Sequence, residues 1–296
     1  GFVSFMTIER CKTAKEFIVS RFSRLFPAYW TAVTFSFIVI LVSIRFGFHQ
    51  ADNEYIVSNY FVNLTMLQHY FGVKDLDEQY WTLITELVFY VFILCLFAIN
   101  SIRHIKLIGS IILGGLILCR FYFDTINYTQ TIERLLFFVP LLRYFPLFFA
   151  GIIFYEIKTD KRTFSKLLLL IACLLTQVYI YDKFHRHFWI VNTLEFSLTL
   201  CFFFALFFLF TANKLSWIVN KYTIFFGEIS YSLYLVHNFI GAKVIVPGLL
   251  KIAGLPLWLS VISALIFIII IAFIINRVVE KPAMYAIRNR IMKKGR

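Results

Sequence analysis

The stretch LWLSVISALIFIIIIAFIIN, Leu257–Asn276, runs without a single charge until Arg277. A helix crossing a bilayer needs about 20 consecutive apolar residues, so this segment reads as a membrane span, Leu257–Val279. The same reading repeats along the chain. Cys201–Phe210 is an unbroken run rich in Phe, and the 296 residues include 37 Phe. Hydrophobic residues make up 60% and charged residues 15%, with a mean hydropathy of +0.81. Soluble domains average roughly 45–50% apolar and about 25% charged. A soluble globular enzyme, a disordered chain and a collagen-like chain are all excluded.

Apolar runs bounded by polar or aromatic residues predict eight spans: Ala28–Phe48, Trp81–Ile99, Ile105–Phe123, Phe137–Ile157, Phe164–Tyr181, Trp189–Thr211, Ile224–Val246 and Leu257–Val279. The chain therefore reads as an all-α integral membrane protein, one polytopic domain over residues 1–296. The loops are too short for a soluble domain, so chemistry belongs in the bundle or at its rims. Gly1–Met6 reads as the tail of an apolar segment, and the sequence as a piece that starts inside a longer chain.

The net charge is +13. In a soluble protein this would point to nucleic acid; here the positive-inside rule accounts for it, and no nucleic-acid partner is expected. Twenty of the 29 Lys and Arg fall at one set of alternate span ends and eight at the other; Arg143 lies within a span. The excess places the C-terminus in the cytoplasm and Asp52–Tyr80 in an external loop. The tail Arg288–Arg296 reads as an inner-surface anchor. Five Cys show no paired spacing, so neither a disulfide framework nor a zinc site is expected. His185-x-His187 beside Asp182 lacks a further ligand and reads as solvated loop rather than a metal site. No internal repeat is visible.

Ionisable groups in a span are expensive, so each is a functional candidate. Five stand out: Glu86, Arg143, Glu195, Glu228 and His237. At ~1.5 Å per residue, Glu86, Arg143, Glu195 and His237 all fall in the outer half of the bilayer. They predict either a polar pocket opening outward or, for Arg143, an ion pair that only joins helices. Glu228 falls near the inner end. Thr82, Glu86 and Tyr90 share one helix face, as do Ser230, Tyr234 and His237. A carboxylate beside hydroxyl donors can orient a proton, and a His can act on a hydroxyl acceptor. Arg21 and Arg24 are one helical turn apart, with Pro27 placed for a helix's first turn and Tyr29 and Trp30 suited to an interface. The pair could be a fork for phosphates or an anchor for lipid headgroups.

Five blocks carry a likeness: Gly1-Phe2-Val3; Arg21-Phe-Ser-Arg24-Leu-Phe-Pro27-Ala-Tyr29-Trp30; Tyr80-Trp81-Thr82-Leu-Ile-Thr-Glu86-Leu-Val-Phe89-Tyr90; Gly227-Glu-Ile-Ser230-Tyr231-Ser-Leu-Tyr234-Leu-Val-His237; and Val279-Glu280-Lys-Pro282. In this order the chain resembles the acyltransferase 3 family of membrane-bound O-acyltransferases. The resemblance implies a ten-helix bundle of which these eight spans match the last eight. The family's catalytic His, on its first span, has no match in this sequence. It further implies transfer of an acyl group, typically acetyl, from cytoplasmic acyl-CoA to a hydroxyl of a cell-envelope sugar, polysaccharide or lipid-linked glycan. The setting would be a bacterial inner membrane. No permanently bound cofactor is implied; acyl-CoA, acetyl-CoA above all, is a co-substrate. Arg21 and Arg24 would bind the CoA phosphates. Glu86 would orient the base or the acceptor, with His237 in support. Thr82, Tyr90, Arg143, Ser230, Tyr231 and Tyr234 would line the pocket. The residues alone leave two other classes open: a transporter or flippase of an anionic glycolipid, and a non-catalytic membrane scaffold.

Overall fold

The computed structural model describes residues 1–45, 53–126, 129–160, 163–184, 191–251 and 253–292. The last residues of the first expected span, Asp52, the pair His185 and His187, and the end of the basic tail lie outside them. The described chain is helical: α1 (Phe2–Ile8), α2 (Ala14–Arg45), α3 (Asn53–Asn63), α4 (Trp81–Ala98), α5 (Ile105–Ile126), α6 (Thr129–Phe138), α7 (Phe145–Thr159), α8 (Phe164–Phe184), α9 (Thr193–Thr211), α10 (Lys221–Val236), α11 (Val246–Lys251), α12 (Leu257–Ile275) and α13 (Lys281–Met292). Two π-helices, His237–Ile245 and Asn276–Glu280, join α10 to α11 and α12 to α13.

Among the described residues, seven helical stretches are long and apolar enough to cross a membrane. The protein is an all-α, multi-pass membrane protein. The fourth expected span, Phe137–Ile157, is divided. Pro140 opens a 3₁₀ turn ending at Arg143, and Pro146 sits in the first turn of α7. Proline has no N–H to continue a helical ladder, so α6 ends at Phe138 and α7 is left with 15 residues.

Three other expectations change. Pro27 lies inside α2, not in a first turn. The helix starts earlier because Glu16 supports its beginning: its carboxylate accepts from the Lys12 amide at 2.7 Å, and its own amide donates to Thr13 Oγ1 at 3.2 Å. The segment expected as a loop, Asp52–Tyr80, contains α3 and a 3₁₀ turn over Glu78–Tyr80. Glu195 is a cap. Its amide donates to Asn192 Oδ1 at 2.9 Å and its carboxylate accepts from the Asn192 amide at 3.2 Å. This reciprocal capping box satisfies amides at the start of α9, so Glu195 stands in the helix's first turn, exposed.

The chain divides into two compact units, each built from two stretches: residues 1–17 with 85–219, and residues 18–84 with 220–296. In the first, α7 is the core. Phe145, Phe149, Ile152, Ile153 and Phe154 are buried, and Phe89 packs on Phe148. α1 lies against α7 where both carry glycine. A methyl group on Gly151 would stand 2.7 Å from the Phe2 nitrogen and 3.0 Å from the Gly1 Cα. The Tyr155 hydroxyl then donates to Glu9 at 2.8 Å. Arg120 on α5 pairs with Asp182 on α8 at 3.2 Å. α9 differs: Phe202, Phe203, Phe207 and Phe210 are exposed along it. A helix apolar all round suits lipid, and these rings account for part of the composition.

In the second unit, α2 is held along its middle. Tyr29 Oη donates to the Asn63 carbonyl at 2.7 Å, and Trp30 Nε1 to the Leu64 carbonyl at 2.9 Å. Earlier along the helix, Tyr231 Oη donates to the Leu25 carbonyl at 3.0 Å, and Arg288 of α13 reaches Ser23 Oγ at 3.2 Å and the Ser20 carbonyl at 3.3 Å.

Candidate functional site

The polar site in the second unit forms where the segment before α4 meets the junction of α10 with its π-helix. That segment is shaped by Asn63, which is fully buried. Its carboxamide donates to the carbonyls of Asn59 at 2.8 Å and Lys74 at 3.0 Å, and accepts the Leu76 amide at 3.0 Å. Gln68 donates to Asp75 at 2.7 Å. Met66 takes a left-handed φ of 63° with its side chain fully buried, a conformation costing roughly 1–2 kcal/mol that surrounding packing must offset.

From this scaffold Asp77 points inward, with 1% of its surface exposed. Asn238 Nδ2 donates to Oδ1 at 2.9 Å; the Phe239 amide and Gln79 Nε2 donate to Oδ2 at 3.0 and 3.1 Å. Burial raises the carboxyl's pKa above its usual value, and the three donors pull the other way. Asp75 is likewise raised, mainly by burial. Two residues on, the Gln79 carbonyl accepts from Tyr234 Oη at 2.8 Å and Thr82 Oγ1 at 3.1 Å. The Thr82 and Tyr234 hydroxyls also meet each other. Tyr80, fully buried, donates to the Leu235 carbonyl at 3.3 Å. Lys243 pairs with Glu78 at 2.6 Å.

His237 stands at the start of the π-helix, exposed, with Nδ1 2.9 Å from the Tyr234 carbonyl. A carbonyl oxygen can only accept, so Nδ1 carries the proton and Nε2 of the neutral ring is the basic nitrogen. The ring lies 5.7 Å from that of Tyr234. Thr82, Tyr234 and His237 are thus brought to one place. Ser230 is not: its hydroxyl donates to the Gly227 carbonyl at 2.9 Å and it is exposed. Tyr231 turns to α2 instead.

Arg21 and Arg24 both lie on α2, Arg21 buried and Arg24 exposed. A second polar cluster forms on α10 between Glu228 and Ser232. Glu280 is buried and accepts from Ser232 Oγ at 2.6 Å and Asn276 Nδ2 at 3.0 Å. The same Asn276 amide group reaches the Glu228 carbonyl at 3.0 Å, and Lys281 pairs with the Glu228 carboxylate at 2.7 Å.

The first unit carries the remaining expected residues. Tyr90 Oη donates to Glu86 on the same face of α4. Arg143, at the end of the 3₁₀ turn, donates to the Phe184 carbonyl, and its own carbonyl accepts from Gln177 at 3.1 Å.

A family model described as an acyltransferase domain, acyltransferase 3, matches residues 1–277. The chain belongs to the acyltransferase 3 family. Neither a curated protein nor a solved structure matches it. In this acyltransferase-family chain the quoted blocks are structural units. The Arg21–Trp30 block is the middle of α2, the Tyr80–Tyr90 block opens α4, and the Gly227–His237 block is α10 up to its π-helix. Glu280 of the closing block is the acceptor that holds Ser232 and Asn276. Sequence reasoning missed Asp77, Gln79 and Asn238. The one available signal was position: Asp77 stands four residues before Trp81, and Asn238 follows His237 directly.

Proposed function

We propose that this acyltransferase carries an acyl group, acetyl above all, from cytoplasmic acyl-CoA to a hydroxyl of a cell-envelope sugar, polysaccharide or lipid-linked glycan. It would do so in a bacterial inner membrane with its C-terminus in the cytoplasm. The observation that carries the reading is the state of His237. With Nδ1 committed to the Tyr234 carbonyl, Nε2 is the basic nitrogen and can accept the hydrogen bond of an incoming hydroxyl. Beside it, the Thr82 and Tyr234 oxygens, whose protons go to the Gln79 carbonyl, keep lone pairs that can accept from a sugar hydroxyl.

In the transfer, the acceptor oxygen bonds to the thioester carbonyl carbon, the carbon–sulfur bond breaks, and the CoA thiolate takes up the proton the hydroxyl has lost. His237 orients that hydroxyl. Arg21 and Arg24, one turn apart on α2, bind the CoA phosphates, guanidinium being suited to them in both charge and shape. Ser230 and Tyr231 are proposed on the resemblance alone as pocket-lining residues. For the first unit the proposal is separate: Glu86, held by Tyr90, orients a hydroxyl or a base, and Arg143 fixes an anionic or polar group.

Acyl-CoA turnover in membranes carrying the protein, with Arg24→Ala and Glu86→Gln variants alongside, tests this. Loss of transfer in both variants at normal expression is expected. Normal acylation in both overturns the residue assignment. Substrate flux with no acyl transfer under any condition overturns the activity itself in favour of a transporter.

A further inference from the structure

A π-helix closes its turns from residue i to i+5, so the hydrogen-bond register changes where an α-helix runs into one. The π-helix that follows α10 begins at His237. Its opening residues are met by a carboxylate from a segment more than 150 positions earlier in the chain. Asp77 takes the Phe239 amide on one oxygen and the Asn238 carboxamide on the other. Hydrogen bonds to an ionised acceptor are roughly twice as strong as neutral ones, and this carboxylate is almost fully buried. On the other flank of His237, Tyr234 is tied by its hydroxyl to the carbonyl of Gln79. Residues 77 and 79 therefore grip the chain on both sides of one exposed imidazole: Tyr234 before it, Asn238 and Phe239 after it. The Tyr234 carbonyl that sets the ring's tautomer is part of the gripped backbone.

We propose that Asp77 is a positioning residue for acyl transfer: by holding Asn238 and the Phe239 amide it fixes the first turn of the π-helix, and with it the direction in which His237 presents Nε2. This rests on the role given to His237 above. The chemical consequence is orientational. A hydroxyl accepted by a ring that cannot swing is held at one approach to the thioester carbon, and a misplacement of about 1 Å can cost on the order of a hundredfold in rate.

The test is a swap made in the whole protein in membranes or nanodiscs. Asp77→Asn removes the charge and leaves one acceptor oxygen for the donors of Gln79, Asn238 and Phe239, Asn238→Asp sets two carboxylates against each other, and the double variant restores one donor facing one acceptor. Each single substitution is expected to lower kcat about tenfold or more, with KM for acyl-CoA within about twofold, and the double variant to recover most of the loss. A second readout does not depend on activity: ¹⁵N spectra of labelled histidine at alkaline pH, with the His237 signal assigned by its loss in His237→Gln. The wild type and the double variant should show one tautomer protonated at Nδ1, and the single variants a mixture. Single variants that keep both the wild-type kcat and the wild-type tautomer overturn the proposal. So does a loss of activity that only tracks the fraction of folded protein. Tautomers that shift as expected in a protein that transfers no acyl group would refute the acyltransferase mechanism and leave the placement of His237 standing. A fall in kcat with the tautomer unchanged would do the reverse.

Discussion

Tyr234 and Gln79, 155 positions apart, are joined by a hydrogen bond of 2.8 Å from the Tyr234 hydroxyl to the Gln79 carbonyl. Within the second unit this bond fastens the end of α10 to the turn that opens α4. Removing it tests how far the site's geometry depends on that fastening. Tyr234→Phe keeps the ring and deletes the hydroxyl, leaving the Gln79 carbonyl to Thr82 alone. A loss of about 0.5–1.5 kcal/mol is expected, read as a lowered thermal midpoint in detergent. KM for the acceptor should rise more than KM for acyl-CoA, because the hydroxyl pair faces the acceptor in the proposed mechanism.

Asp75 and Asp77 make stability depend on pH in a defined direction. Burial raises both carboxyls above the ordinary 3.8. Between 3.8 and the raised values the folded chain holds more protons than the unfolded chain. Stability is therefore greatest on the acid side of that window and falls as pH climbs through it. Thermal midpoints measured from acidic to neutral pH should show this decline. Asp77→Asn should remove its share of the slope, whatever it does to the midpoint itself.

Gly151 tests the approach of α1 to α7. The methyl group of Gly151→Ala would press on backbone atoms, which cannot turn aside as a flexible side chain can. A cost of about 1–3 kcal/mol is expected. Gly114→Ala is the control, since a methyl group there meets nothing within 4 Å. An equal effect at the two glycines would show that helix propensity, and not the close approach, decides.

Glu280 is the acceptor shared by Ser232 and Asn276. Glu280→Ala strands both donors in a buried place, at about 1–3 kcal/mol. Glu280→Gln keeps one oxygen and should lose less. Melting curves of the two variants in the same detergent rank them; equal losses would mean that charge, not hydrogen bonding, holds the π-turn.

Much of this fold was legible in the sequence because hydropathy over a window of about 20 residues reports a crossing directly. The helical spacing of Glu86 and Tyr90 put them on one face, and there they meet. What a window averages away is register. The break at Pro140–Arg143 disappears inside an apolar run, so one span was expected where α6, a 3₁₀ turn and α7 stand. A π-turn adds a residue per turn without any compositional mark, so nothing announced that the helix changes its winding at His237. Glu195 looked like a charge in lipid because the span seemed to begin at Trp189; Asn192 starts the helix later and makes it a cap. Asp77 was one acid among several in a loop, and its partner Asn238 lies 161 positions away. No local pattern carries such a pairing.

The contrast between α7 and α9 has a consequence for how this sequence can drift. Each side chain along the buried face of α7 answers to a particular neighbour, so exchanges there are judged one by one. α9 is exposed along much of its length, while Phe196 stacks on Tyr181 and Phe204 and Phe207 meet Phe154. Its exposed Phe202 and Phe203 should trade freely with leucine, isoleucine or methionine, provided the whole stays oily enough to insert. In a saturation library selected for function, α7 should come back as a specific string of letters and the exposed part of α9 as little more than a total.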